Sequence, residues 1–118
     1  MLIKRMTDLL VAHTVPLEEI HIDLTSITVE LDDINGKRRT VFFRPFQAVR
    51  VTTIDCVDLE VYGGYRGYLL ECIDSPWIED LQAQLVESED NFLEKSKHFI
   101  MDLGDNLLEI VAWSVNIL

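Results

Sequence analysis

Few residues in this sequence combine the type and the spacing that catalysis requires. Ser75 lies outside a Gly-x-Ser-x-Gly context and precedes Pro76, where a serine side chain caps a helix by accepting a backbone N–H bond. The three histidines, His13, His21 and His98, are far apart and form neither a His-x-His nor a His-Glu-x-x-His pattern. Only folding could assemble a metal site from them. We therefore expect surface or strand-edge histidines, no catalytic residue, no metal and no cofactor.

Two glycine-containing segments have some features of ligand-binding loops. Asp32, Asp33, Asn35 and Gly36 lack the twelve-residue calcium pattern and its final glutamate. Asn-Gly is instead a strong hairpin signal, because both residues tolerate positive φ angles. Residues 63–67, Gly-Gly-Tyr-Arg-Gly, match neither a dinucleotide-binding nor a phosphate-binding loop, and they predict a flexible turn.

Acidic side chains are the main chemical signal of the chain. Its 118 residues include 21 acidic and 10 basic ones, which gives a formal net charge of −11. Residues 1–54 contain seven of each kind, whereas residues 55–118 contain fourteen acidic and three basic residues. Such a field repels nucleic acid and anionic lipid and attracts basic partners or cations. Negative charge also promotes solubility, so two interpretations stay open: the charge keeps the protein soluble, or it attracts a partner.

Many of these acids surround one predicted helix. The residues that we predict to bind a partner are Glu79, Asp80, Glu87, Glu89 and Asp90. A basic partner would be steered towards this surface by its charge. The aromatic residues that could serve as anchors are Trp77, Tyr62, Tyr65 and Trp113, of which we expect at least Trp77 and Trp113 to belong to the core.

The elements that would position these residues follow from hydrophobic periodicity. Strand signals cover residues 20–25, 27–31, 37–44, 48–54, 68–73, 98–103 and 107–115, and Pro45 marks an edge or a bend. Ser75 and Pro76 begin a predicted helix over 76–88, and residues 3–13 could form a short N-terminal helix. We expect one α+β domain over 1–118, with an antiparallel sheet of five or six strands and one principal helix on one face. An all-β sandwich is the alternative.

The cysteines and the N-terminus indicate a cellular setting. Cys56 and Cys72 lie in or beside apolar, strand-like stretches without metal-site spacing, so we expect buried free thiols in a reducing compartment. The apolar run from Leu9 to Ala12 is too short for a signal peptide, and no segment approaches a membrane span. The expected location is the cytoplasm, without contact with a membrane.

The C-terminal third carries a resemblance to a known class. It combines a Ser-Pro-Trp helix start at 75–77, a Lys-His-Phe-Ile strand at 97–100, Asp105, and Leu-Glu-Ile-Val-Ala at 108–112. This combination, within residues 68–113, resembles small bacterial domains of immunity-protein type, which are encoded beside polymorphic or contact-dependent toxins. The resemblance implies an antiparallel sheet with one or more packed helices and binding to a toxin domain. It supplies no catalytic residues.

Two functional hypotheses follow from the sequence. The first is an acidic protein-binding module, such as an immunity protein that neutralises a basic toxin domain. The second is a structural or regulatory domain that acts as a homo-oligomer without catalytic activity, since the apolar strand positions outnumber what one short helix can cover. An enzyme or small-ligand carrier would need a pocket that the sequence does not display.

Overall fold

The computed structural model describes residues 1–7, 9–86 and 93–118, and its dominant feature is one antiparallel sheet of seven strands. The strands are β1 (Ile3–Arg5), β2 (Glu19–Ile22), β3 (Ile27–Asp32), β4 (Arg38–Thr53), β5 (Leu69–Cys72), β6 (Lys97–Asp102) and β7 (Asn106–Ile117). They lie in the order β1-β5-β6-β7-β4-β3-β2. One helix, α1 (Pro76–Ala83), and two 3-10 turns, Ile54–Cys56 and Leu59–Tyr62, complete the described elements.

The expectation of five or six strands is wrong, because the N-terminal segment adds a strand where a helix was expected. Ile3 pairs with Cys72 in the β1–β5 ladder, and Met6 donates its backbone N–H to the carbonyl of Leu69. The exposed edge of β5 satisfies backbone groups that a three-residue stretch could not satisfy by itself. The helical spacing of apolar residues in this segment was therefore overridden by tertiary pairing.

Residues further along the same segment join the two sides of a curled sheet. Val11 bridges to Tyr68 next to β5, and Ala12 bridges to Asp33 next to β3. Leu10 and Ala12 are buried in the main hydrophobic core, which also contains the described core residues Ile27, Val29, Leu31, Val41, Phe43, Leu69, Phe99, Met101, Leu103, Leu108, Ile110 and Ala112. Exposure alternates from Leu9 to Ala12, which is the pattern of extended chain and not of a helix.

Gly67 makes this close approach possible. Its φ angle is +81°, and a Cβ atom at this position would lie 3.0 Å from the carbonyl oxygen of Ala12. Its backbone carbonyl accepts the N–H of Ala12 at 2.8 Å. A larger residue would force the two segments apart.

The predicted hairpin between β3 and β4 is confirmed. Asp33 accepts backbone N–H bonds from Asn35 and Lys37, and Gly36 has a φ angle of +79°. The side chain of Asp33 therefore holds the turn.

The two strands predicted on either side of Pro45 are a single strand. β4 pairs with β7 along almost its whole length, with a register shift between Phe46 and Ala48. The Arg44–Pro45 peptide bond is cis. Pairing of β3 with β4 ends at Phe43, so the missing N–H of Pro45 falls where no neighbour requires it on that side.

The helix and both 3-10 turns pack on one face of the sheet, which we call the helix-side face. Ile54, Val57 and Tyr62 from the turns contact a second buried cluster formed by Leu70, Cys72, Ile100 and Leu107. The predicted helix is too long: it ends at Ala83, residues 84–86 are not helical, and residues 87 and 88 lie outside the described residues. Among the described residues, no helix is long and apolar enough to cross a membrane.

Candidate functional site

A network of polar side chains lies on the helix-side face. Alternation along the strands places His98 of β6, Glu109 of β7 and Arg50 of β4 on this face. Arg50 and Glu109 are direct cross-strand partners. Ser75 at the start of α1 and Tyr62 in the second 3-10 turn reach the same place. We call these five residues the polar network.

Hydrogen bonds connect the helix start to the sheet. The hydroxyl of Ser75 accepts the backbone N–H of Ile78 at 3.1 Å, which confirms its predicted capping role. The same hydroxyl lies 2.8 Å from Nδ1 of His98, and Nε2 of His98 lies 2.9 Å from Oε1 of Glu109. An ionised carboxylate only accepts, so Nε2 carries the proton in this arrangement, and the Ser75 hydroxyl can donate to Nδ1.

Arg50 closes the network towards the surface. It binds Glu109 through two nitrogens, with Nε at 2.6 Å from Oε2 and Nη2 at 3.1 Å from Oε1. Its guanidinium also lies over the ring of Trp77, 4.1 Å from the ring centroid. The ring of Trp77 meets that of His98 edge to face. Helix, strand and turn are thus joined through one planar, charged group.

The electrostatics of Glu109 follow from these contacts. Burial raises the pKa of this carboxyl, but hydrogen bonds from His98 and Arg50 and the positive charge of Arg50 outweigh burial and lower it to about 2. Burial and the charge of Glu109 raise the pKa of Tyr62, whose hydroxyl donates to Oε1 of Glu109 at 3.4 Å. The network therefore holds one permanent buried negative charge and its counter-charge.

Serine, histidine and glutamate in a hydrogen-bonded chain also occur in acyl-transfer triads, but here the serine and the histidine are both buried. Ser75 and His98 are 5% and 1% exposed. The serine oxygen is engaged as a helix cap, and neither Ser75 nor His98 lines the cavity of about 370 Å³ beside the network. A nucleophile needs access to its substrate and a general base in reach of it. The geometry supports a structural tie between α1 and the sheet.

A cavity of about 370 Å³ opens beside the surface end of the network. Its lining consists of Arg50, Thr52, Cys56, Val57, Asp58, Val61, Tyr62 and Glu109. The expectation that both cysteines are buried is wrong for Cys56, which is exposed, whereas Cys72 is buried. The cavity lies between the 3-10 turns and the sheet, on the same face as α1.

Exposed acidic side chains lie on and between the 3-10 turns beside this cavity and on α1. Five of them, which we call the acidic surface, are exposed: Asp55, Asp58, Glu60, Glu79 and Asp80. Glu79 and Asp80 of the predicted partner-binding set therefore lie in solvent on α1. Glu87, Glu89 and Asp90 lie outside the described residues. The partner-binding role of all five predicted residues stays a prediction.

The acidic surface differs from the acids of the N-terminal hairpins. No ion pair joins any of its five members to a cation within residues 1–7, 9–86 and 93–118. On the hairpins, Arg38 contacts Glu19 and Asp32, and Arg39 contacts Asp33. These five exposed side chains account for part of the negative excess of residues 55–118, whereas the buried acids Glu71, Asp102 and Glu109 of the same half each contact a cation.

Sequence reasoning found some of these residues and missed others. Glu109 is conspicuous in sequence because it is a charge between apolar strand neighbours. His98 was expected at the surface or at a strand edge but is buried, and the apolar run of Phe99, Ile100 and Met101 after it is the signal that could have placed its strand inside the sheet. The pairing of Arg50 with Glu109, 59 residues apart, has no local signal.

Comparison with known proteins gives no further guide to the site. No family model matches the chain, and no curated protein or solved structure matches it significantly.

Proposed function

We propose that this protein is a binding module whose acidic surface binds a basic protein partner. The observation that carries the proposal is the contrast in neutralisation: the five members of the acidic surface are exposed and without ion pairs among the described residues, while Glu19, Asp32 and Asp33 on the hairpins contact arginines. Unneutralised charge on one face steers an oppositely charged partner and raises its association rate.

The surface also contains features that can provide affinity beyond charge. Trp77 is half-buried and fixed by Arg50, so binding would cost little side-chain entropy there. The cavity beside it contains Tyr62 and the apolar side chains of Val57 and Val61. Aromatic residues at the centre of a charged rim are typical of binding hot spots.

The resemblance of residues 68–113 to immunity-type domains supports a toxin domain as the partner. The residues that carry the resemblance include Ser75, His98 and Glu109 of the polar network. In the structure these residues tie α1 to the sheet. They would hold the acidic surface in a fixed shape, which favours tight binding of one partner.

The proposal is tested by comparing two charge-reversed variants. One carries Glu79→Lys and Asp80→Lys on α1, and its control carries Glu18→Lys and Asp23→Lys, which flank β2 at the far edge of the sheet. Each reversal adds two charges, so both variants change from −11 to −7. Immobilised wild-type chain, variant and control are exposed to lysate of the native cells at low salt.

A basic protein retained by the wild type and the control, and lost by the α1 variant, supports the proposal. Its association rate with the wild type should fall steeply between about 0.05 and 0.5 M salt, because ions screen exposed charges over about 10 Å at 0.1 M. Retention that is indifferent to reversal at Glu79 and Asp80 and to salt would sink the electrostatic proposal. Failure of the wild type to retain any basic protein would do the same.

A homo-oligomer is the second candidate, and exposed apolar side chains favour it. Leu9, Val15, Leu17 and Ile34 in the N-terminal part are each more than 60% exposed. Apolar exposure of this kind often marks an interface. Sedimentation at micromolar concentration decides this case, since a monomer contradicts it.

A further inference from the structure

The outer hairpin carries a cluster of metal-binding side chains that is separate from the acidic surface. Glu19 and His21 are two residues apart on β2 and therefore lie on the same face of the strand. Glu30 on β3 is the direct cross-strand partner of Glu19. The antiparallel ladder thus brings one imidazole and two carboxylates together on the hairpin.

The distances within this cluster fit a metal ion better than hydrogen bonds. Nε2 of His21 lies 3.5 Å from Oε2 of Glu19 and 3.7 Å from Oε2 of Glu30. All three ligand atoms lie within 4.8 Å of one another. A hydrogen bond would place the atoms about 2.7–3.2 Å apart. Ligands bound tetrahedrally at about 2.1 Å from zinc are separated by about 3.4 Å, close to the spacing observed.

The surroundings leave these ligand atoms accessible. The side chains of Glu19, His21 and Glu30 are 60%, 61% and 42% exposed. Arg38 approaches the other oxygen of Glu19, Oε1, at 3.7 Å, and so leaves Oε2 available. The ring of His21 makes no hydrogen bond within the described parts of the chain. Two carboxylates directly opposite each other on neighbouring strands also repel, and a bound cation would relieve this repulsion.

We propose that Glu19, His21 and Glu30 form a zinc-binding site. An imidazole with two carboxylates is a donor set that suits Zn²⁺, whereas Mg²⁺ and Ca²⁺ prefer oxygen ligands alone. Three protein ligands leave a fourth position that faces solvent, where water or a donor from another molecule can bind. The site lies on β2 and β3, and it is independent of the proposed binding of a basic protein by α1.

Calorimetric titration of the full chain, freed of metal by a chelator, with ZnCl₂ tests the proposal. We expect one zinc ion per chain for the wild type and at least about tenfold weaker binding for His21→Ala, which corresponds to about 1.4 kcal/mol. His13→Ala is the matched control, because His13 is also exposed and belongs to no three-ligand cluster within the described residues. It should bind zinc as the wild type does.

Two further measurements separate a zinc site from a diffuse acidic patch. Zinc should raise the melting temperature of the wild type and of His13→Ala but not that of His21→Ala, and MgCl₂ at the same concentration should raise none of them. Circular dichroism checks that each variant is folded. Absence of zinc binding by the wild type, equal binding by His21→Ala, or equal binding of magnesium would overturn the proposal.

Discussion

The hairpins at one end of the sheet and the helix-side face at the other treat acidic side chains differently. On the hairpins, Arg38 and Arg39 contact three carboxylates, those of Glu19, Asp32 and Asp33. On the helix-side face, the buried carboxylate of Glu109 accepts two hydrogen bonds from Arg50 and one from His98. The exposed acids around it have no ion pair within the described chain.

This difference shows that net charge alone does not locate a binding surface. Residues 18–33 contain six acids, more than the acidic surface, yet three of them, Glu19, Asp32 and Asp33, contact an arginine, which weakens the field that they project. The arginine that could have neutralised the acidic surface is held by Glu109, 59 residues away in sequence. The field of the protein therefore arises where structure, and not composition, leaves carboxylates without cations.

Removal of the buried carboxylate is expected to have the largest effect on this comparison. Glu109→Ala leaves Nε2–H of His98 without an acceptor and releases Arg50 from its partner, so the free energy of unfolding should fall by about 2–4 kcal/mol. Glu79→Ala on the exposed part of the same face should change it by less than about 0.5 kcal/mol. Urea denaturation of both variants measures the difference. Equal losses of unfolding free energy in the two variants would show that the buried carboxylate stabilises the fold no more than an exposed one.

Acid should reduce stability through the same carboxylate. The pKa of Glu109 is about 2 in the folded protein, below the ordinary value of 4.5. A lowered pKa means that its contribution is complete above about pH 4.5 and is lost as pH falls towards about 2. We expect the stability difference between the wild type and Glu109→Gln to shrink over this window in denaturant titrations. A difference that stays constant between pH 5 and 2.5 contradicts the assignment.

Loss of a hairpin cation should have the smallest effect. Arg38→Ala removes contacts to Glu19 and Asp32, but its side chain is 41% exposed, and exposed ion pairs contribute about 0–1 kcal/mol. Arg38 also donates a hydrogen bond from Nη1 to the carbonyl oxygen of Leu17 at 2.8 Å, which adds only modestly to the loss of stability. Differential scanning calorimetry should therefore show a small decrease in melting temperature. This decrease should be smaller at high salt, because salt screens the ion pairs that the variant lacks. A loss as large as that of Glu109→Ala would refute the distinction between the two regions.

Local signals in the sequence were sufficient for several elements. Asn35-Gly36 located the β3–β4 hairpin, Ser75-Pro76 located the start of α1, and Gly104 lies in the turn that joins β6 to β7. These signals work because turn and cap geometry depends on the few residues that form it. The sequence also revealed the excess of acidic residues after residue 54, but it did not reveal which of these residues are exposed.

The sequence could not predict what depends on distant pairing. Residues 3–13 have the apolar spacing of a helix, yet residues 3–5 form a strand because β5 offers an unpaired edge. The two stretches around Pro45 become one strand because β7 runs past both of them. In each case the backbone hydrogen bonds of a partner, remote in sequence, outweigh a weak local preference.

The sequence by itself determined the turns, the helix start and the sign and segregation of the charge, since each depends on residue type and near neighbours. Only the tertiary structure decided which carboxylate is buried with His98 and Arg50, and which acids remain exposed without cations. Only folding brought His21 between Glu19 and Glu30. The reason is that ion pairs and ligand clusters require side chains from separate strands within a few ångströms, and strand register alone sets those distances.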